Sequence, residues 1–143
     1  MKLPRKYAVL FKVVDIHTKS KKEVGTLGES LACEYLKRHG FRVLERNVTR
    51  KTGELDVVAR KENVLHIVEV KTVVCKEFPT EESPDTYDPA DNLHPYKLQK
   101  VARTGEWYVA NIDWEEEWQV DGVLVWLREC DGMARVRYLP QIL

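Results

Sequence analysis

The chain has 143 residues, enough for one domain with a substantial core and too few for two. Lys plus Arg equals Asp plus Glu at 23 each, so no overall charge advertises a polyanionic or membrane partner. No stretch approaches membrane-spanning length, and the apolar run near the N-terminus is broken by Lys12 and lacks a small-residue cleavage pattern, which argues against secretion. Cys33, Cys75 and Cys130 are odd in number and widely spaced, the pattern of reduced thiols in a cytoplasmic protein.

The neutral total hides segregation. Residues 1–24 carry Lys2, Arg5, Lys6, Lys12, Lys19, Lys21 and Lys22 against Asp15 and Glu23. They read as a basic N-terminal extension ahead of a single α/β domain over residues 25–143. Within the extension, Tyr7 to Ile16 suits a strand or a short helix, because periodicity does not separate the two in so short an apolar run. It covers one edge of the core, or it is a basic arm that touches phosphate.

Thr26 to His39 predicts an amphipathic helix with Leu27, Leu31, Ala32, Tyr35 and Leu36 as its apolar stripe and Gly40 as its stop. Gly28 falls in the middle of that stripe, where a missing side chain allows close approach to a sheet. Glu29 lies at the flank, about 20° from Leu36 at 100° per residue, and so borders the packed face. Near a helix N-terminus it also suits the dipole.

Phe41 to Glu45 begins the sheet, and Arg46 to Lys51 reads as a basic turn before Gly53, a residue that marks a turn or bulge. Thr52 to Val74 then reads as two strands around a tight turn at Lys61-Glu62-Asn63. Alternation puts Leu55, Val57 and Ala59 on one face and Glu54, Asp56 and Val58 on the other. In the second strand Glu69 and Lys71 share a face with Leu65 and Ile67. A hairpin register placing Asp56 beside Glu69 also brings Lys71 alongside, clustering two carboxylates and an ammonium among apolar neighbours. Charges there are costly unless paired or holding a metal.

Residues from about 75 to 94 form a long Pro-rich acidic loop, with Glu77, Glu81, Glu82, Asp85, Asp88 and Asp91 against Lys76. His66 and His94 have no partners at metal-ligand intervals and read as structural or solvated. Pro95 to Asn111 predicts a second helix. Leu98, Val101, Ala102, Tyr108 and Val109 form its buried stripe, and Lys97, Lys100 and Arg103 a basic face that is solvated or follows a nucleic-acid backbone. After an acidic, Trp-bearing connection at Asp113 to Trp118, Gln119 to Arg128 and Ala134 to Leu139 alternate as strands around the Asp131-Gly132 turn. The fold class is α/β, with a mixed central sheet of about five strands flanked by helices.

A helix bearing Glu29, a strand bearing Asp56 and then Glu69-Val70-Lys71 resembles the PD-(D/E)XK nuclease superfamily, and within it the archaeal Holliday-junction resolvases. More closely, the segments GTLGESLACEYLKRHGF, RNVTRKTGELDVVAR and VEVKT and the helix near Lys97 resemble the YraN-like family of small bacterial endonuclease-like proteins. The resemblance covers about residues 25–127. It implies a restriction-endonuclease-like core with Asp56 and Glu69 as metal-ligating carboxylates and the Val70 carbonyl as a further oxygen ligand. Such hard oxygen ligands suit Mg²⁺ or Mn²⁺. Lys71 would orient water or stabilise charge on phosphate, and Glu29 would bind a second metal or hold metal-bound water. Glu54 is the runner-up ligand, and Gly53 allows close approach of substrate.

Two readings of function follow. The first is a divalent-metal-dependent DNA endonuclease, with branched structures and a homodimer suggested by the resolvase analogy, and Arg46, Arg50, Lys51, Lys97 and Lys100 on the nucleic acid. The second is a non-catalytic nucleic-acid-binding or scaffold protein that keeps the fold and uses a Lys71–Glu69 ion pair structurally. Three departures from the family pattern bear on DNA affinity: Gln119-Val120-Asp121 replaces an Arg-Phe-Asp run, the loop after Lys71 is acidic, and residues 1–24 have no counterpart. Hydrolysis of a small nucleotide is a third reading, with no Gly-rich phosphate loop to raise it.

Overall fold

Strand β4, Val64–Cys75, is the axis of a mixed sheet, antiparallel to β3 (Gly53–Lys61) on one side and parallel to β5 (Glu117–Arg128) on the other. The structure is a computed structural model that describes residues 7–13, 15–79 and 95–143. The sheet is completed by β2 (Arg42–Arg50) beyond β3, and by β6 (Met133–Leu139) and β1 (Tyr7–Lys12) beyond β5, in the order β1-β6-β5-β4-β3-β2. The sixth strand is β1, so Tyr7 to Lys12 takes the strand alternative and the count exceeds the five expected. His94 and the acidic residues from Glu81 to Asp91 lie outside the described residues. Among the described residues no helix is long and apolar enough to cross a membrane.

Two helices cover the two faces. Helix α1 spans Lys21–Arg38, starting five residues earlier than its apolar stripe suggested. The reason is a capping box: Ser20 Oγ accepts from Glu23 N–H, and the Glu23 carboxylate accepts from Ser20 N–H, both at 3.2 Å. Leu31, Ala32, Tyr35 and Leu36 of α1 pack with Val57, Ala59, Val68, Val123 and Val125 of the sheet. A Cβ at Gly28 would collide with Thr72 of β4, which confirms the close approach expected there. Helix α2, Pro95–Asn111, has the bounds read from the sequence and closes the opposite face through Val101 and Tyr108, against Val48, Leu55, Val58, Leu65, Ile67 and Val120.

Several local expectations shift. Strand β2 continues through Arg46 to Arg50, so the predicted turn shrinks to Lys51 and Thr52, and the ladder with β3 slips by one residue around Leu44. Leu55 belongs with Val58 on the α2 side while Val57 and Ala59 face α1, so strict alternation fails within β3. The break falls where Asn47, between the Arg46↔Val57 and Val48↔Leu55 pairs, adopts a left-handed φ of 53°. Strand β5 begins at Glu117, within the segment expected to be a connection.

Candidate metal centre

The carboxylates of Asp56 and Glu69 meet where the β3–β4 ladder opens. Regular pairing runs from Lys61↔Val64 to Val57↔Val68. At the next step the Asp56 side chain replaces the backbone partner: Val70 N–H donates to Asp56 Oδ2 at 2.9 Å. Glu69 is 2% exposed and lies beside the Asp56 carboxyl. Burial, followed by the charge and contact of Asp56, pushes the Glu69 carboxyl from its usual 4.5 up to about 9. Its Oε1 is buried without a hydrogen-bond donor. A buried carboxyl with an unpartnered oxygen beside a half-buried one is a site short of positive charge, which a divalent cation would supply without adding a proton. Gly53, Glu54, Asp56, Glu69, Lys97, Lys100 and Val101 line a recess of about 190 Å³ over this pair.

Among the described residues no three His, Cys, Asp or Glu side chains converge as a metal cluster. A cation at this place would have two carboxylates as its charged donors, the sparse kind of set with which Mg²⁺ retains several waters. Val70 presents its N–H to Asp56, a contact that anchors this carboxylate and leaves the Val70 carbonyl as a separate group. Glu29 stands beside the pair. Its carboxyl is raised by burial and then by the charge of Asp56, while Oε2 lies 3.8 Å from Arg46 Nη2. Glu54 is exposed on the recess wall.

The nearest cation is not the one expected. Lys97 Nζ of α2 lies 3.8 Å from Glu69 Oε2, whereas Lys71 makes no ion pair among the described residues and lines a neighbouring cleft with Glu29 and Lys97. The structural Lys71–Glu69 pair considered from the sequence is thus replaced by Lys97–Glu69. Its cause is topological: β4 leads through the crossover into α2, and α2 lays its first turn over the open end of the ladder. Of the other basic residues, Arg46 is drawn to Glu29 and Ser30, and the Arg50 guanidinium stacks 4.1 Å from the centroid of the Trp107 ring. Lys51 is exposed in the β2–β3 turn, and Lys100 Nζ lies 4.7 Å from the centroid of the Tyr96 ring beside the recess. Gly53, at a φ of 149° that favours glycine, sits against Thr104 and Lys100 of α2, where a Cβ would meet Thr104 Oγ1 at a tight 3.2 Å.

A second buried polar group went unrecognised as a unit. Asp121 is fully buried and accepts from Tyr138 Oη at 2.5 Å, Gln119 Nε2 at 2.7 Å and Gln141 N–H at 2.9 Å, with His66 Nδ1 at 2.5 Å. Burial pushes its carboxyl up, and these hydrogen bonds more than offset that, leaving it below the usual range. His66 is accordingly structural. Gln119 reaches this carboxylate as a neutral donor. The signal in the sequence was weak, because a buried Asp in a Val-rich strand does not announce its partners.

The comparisons match this architecture to known sequences. The family model described as Uncharacterised protein family UPF0102 matches residues 28–125. A UPF0102 protein of Campylobacter lari is 33% identical over 114 residues, covering 80% of this chain and 93% of the relative. One from Campylobacter jejuni is 34% identical over 101 residues (71% and 81%), and one from Helicobacter hepaticus 30% over 112 residues (78% and 92%). Among solved structures, that of Pyrococcus furiosus SfsA in complex with Ca²⁺ aligns with a TM-score of 0.30 and 15% identity, covering 85% of this chain and 63% of the other. That likeness is slight, and the chemistry has to be read from this chain's own residues.

Proposed function

Because this chain belongs to the UPF0102 family and buries Glu69, with an unpartnered oxygen, beside Asp56 at the open end of its central ladder, we propose that it is a divalent-metal-dependent phosphodiesterase acting on nucleic acid, in the first instance a DNA endonuclease. The single observation that carries this reading is Glu69: a carboxylate that is 2% exposed, beside a second carboxylate, with an oxygen lacking any donor. A packed core has no use for such an arrangement, whereas a hard cation does. Asp56 and Glu69 would hold Mg²⁺ or Mn²⁺, which would polarise a phosphodiester oxygen and activate an attacking water.

The chain's own groups do the positioning. Val70 N–H fixes the Asp56 carboxylate from the strand, and α2 closes the recess that excludes bulk water from Glu69. Lys97 and Lys100 on one wall and Lys71 in the adjoining cleft offer charge to the phosphate. Glu29, held near Arg46, is placed to accept a hydrogen bond from water entering beside Asp56.

The test has two parts. Manganese binding, read by electron paramagnetic resonance, is expected to weaken at least tenfold in Asp56→Asn and in Glu69→Gln. End-labelled single-stranded, duplex, flapped and four-way-junction DNA is expected to be cut in Mg²⁺ or Mn²⁺, not in chelator, and not by either variant. Cutting that survives both substitutions would refute the site. Junction binding without cutting would leave a scaffold that keeps the fold.

A further inference from the structure

A larger cleft, of about 600 Å³, adjoins the recess and shares Lys97 with it. Four lysines line it: Lys19 and Lys21 before and at the start of α1, Lys71 on β4, and Lys97 on α2. Glu29, at the end nearest the carboxylate pair, is the one acidic residue among those lining it. The lining also includes the apolar side chains of Val24 and Val74, half-buried and 39% exposed respectively, with Ile16 buried beneath at 5% exposure. Lys19, Lys21, Ile16 and Val24 all precede residue 28, where the family match begins.

Gly25 explains how the cleft stays open. It sits inside α1, where glycine is a poor helix former. Gly28, one turn on, has a packing reason, since any side chain there would strike Thr72. Gly25 has none: a Cβ placed on it meets nothing within 4 Å, and the residue lines the cleft. Its missing side chain is space left to whatever occupies the cleft.

We propose that this cleft carries an unpaired nucleic-acid strand away from the carboxylate recess, with phosphates on the four lysines and base faces against Val24 and Val74. The proposal deepens the phosphodiesterase reading and rests on it. The mixed lining decides between strand and duplex. A duplex offers a surface only sugar and phosphate outside its grooves, so lysines alone would serve it. An unpaired strand offers phosphate and base faces together, and lysine beside apolar surface matches both.

Fluorescence anisotropy with labelled oligonucleotides of one sequence, as single-stranded DNA, single-stranded RNA and duplex DNA, tests this on the full chain in chelator over a salt series. Either single strand is expected to bind at least tenfold more tightly than duplex. Gly25→Leu, which fills the cleft with a better helix former, is expected to weaken strand binding about tenfold while thermal unfolding shows the fold intact. The pair Lys19→Gln and Lys21→Gln is expected to flatten the salt dependence by about 1.4 in log–log slope, two phosphate contacts' worth for a single strand. Duplex bound as tightly as single strand would overturn the proposal, and so would strand binding unchanged in both variants. Manganese binding by the same proteins separates the two readings. It depends on Asp56 and Glu69, so its absence from the wild type would refute the metal centre while anisotropy still judged the cleft.

Discussion

Lys97 Nζ stands 3.8 Å from Glu69 Oε2, and in that position the second helix lends the buried carboxylate pair its nearest positive charge. The lysine is half-exposed, so its charge acts on the site largely through solvent, on the 0.2–1 kcal/mol scale of exposed charges. A metal ion arriving at Asp56 and Glu69 meets that ammonium as a repelling neighbour. Lys97→Gln is therefore expected to tighten manganese binding, by roughly two- to fivefold on that energy scale. A titration followed by electron paramagnetic resonance checks it, and weaker binding in the variant would make Lys97 an organiser of the ligands instead of a competitor.

Stability should depend on pH through Glu69. In the unfolded chain this carboxyl ionises near 4.5, and in the folded one it keeps its proton to about 9. Between those values the folded state binds more protons, so the group's contribution to stability is complete below about 4.5 and is lost as pH rises toward 9. Urea unfolding of the metal-free protein at pH 5, 7 and 9 is expected to show the wild type losing stability relative to Glu69→Gln. At pH 8 the glutamine variant should be more stable by on the order of 2 kcal/mol. Saturating Mg²⁺ should shrink the difference, because the cation replaces the proton. A pH-independent gap between the two proteins would show that Glu69 ionises freely.

The Asp121 hub should behave oppositely. Its carboxylate satisfies Tyr138, Gln119 and the Gln141 backbone as well as His66, so truncation orphans several buried groups at once. Asp121→Ala is expected to cost about 3–5 kcal/mol in urea unfolding. Manganese affinity should not change, since the hub shares no member with the carboxylate pair. A loss of metal binding without a loss of stability would contradict this division between structural and metal-binding acids.

The architecture was readable where one physical signal dominated. The α2 bounds coincide with Pro95 and Asn111 because proline and a polar end punctuate a strong stripe, and Gly28 was recognised because a glycine amid apolar helix positions has few other uses. Asp56 and Glu69 were found as a pair because carboxylates in half-apolar strands conflict with burial. The start of α1 was misplaced although Ser20 and Glu23 form a capping box, because apolar periodicity was followed and the cap spacing was not. The faces of β3 were misassigned because a left-handed Asn47 leaves no mark in a hydrophobicity pattern. Lys97 was placed on a basic face but not at Glu69, since that contact exists only once the crossover folds back over β4. Strand and helix patterns report each element's own preferences, and the missed contacts all join elements far apart in sequence.

The pairing of β1 with β6 joins residues 7–12 to residues 133–139. On the ribosome, β1 has no β6 to pair with until residues 133–139 have been synthesised. Until then its apolar run, Tyr7 to Phe11, waits beside a growing sheet that still lacks the strand between β1 and β5. The order of synthesis and the order of assembly are thus opposed along this edge. Closing a loop of nearly the whole chain is the slow kind of folding step, and it leaves an unpaired strand exposed meanwhile. A stop codon before residue 133 would remove one strand from the chain and strand the other without a neighbour.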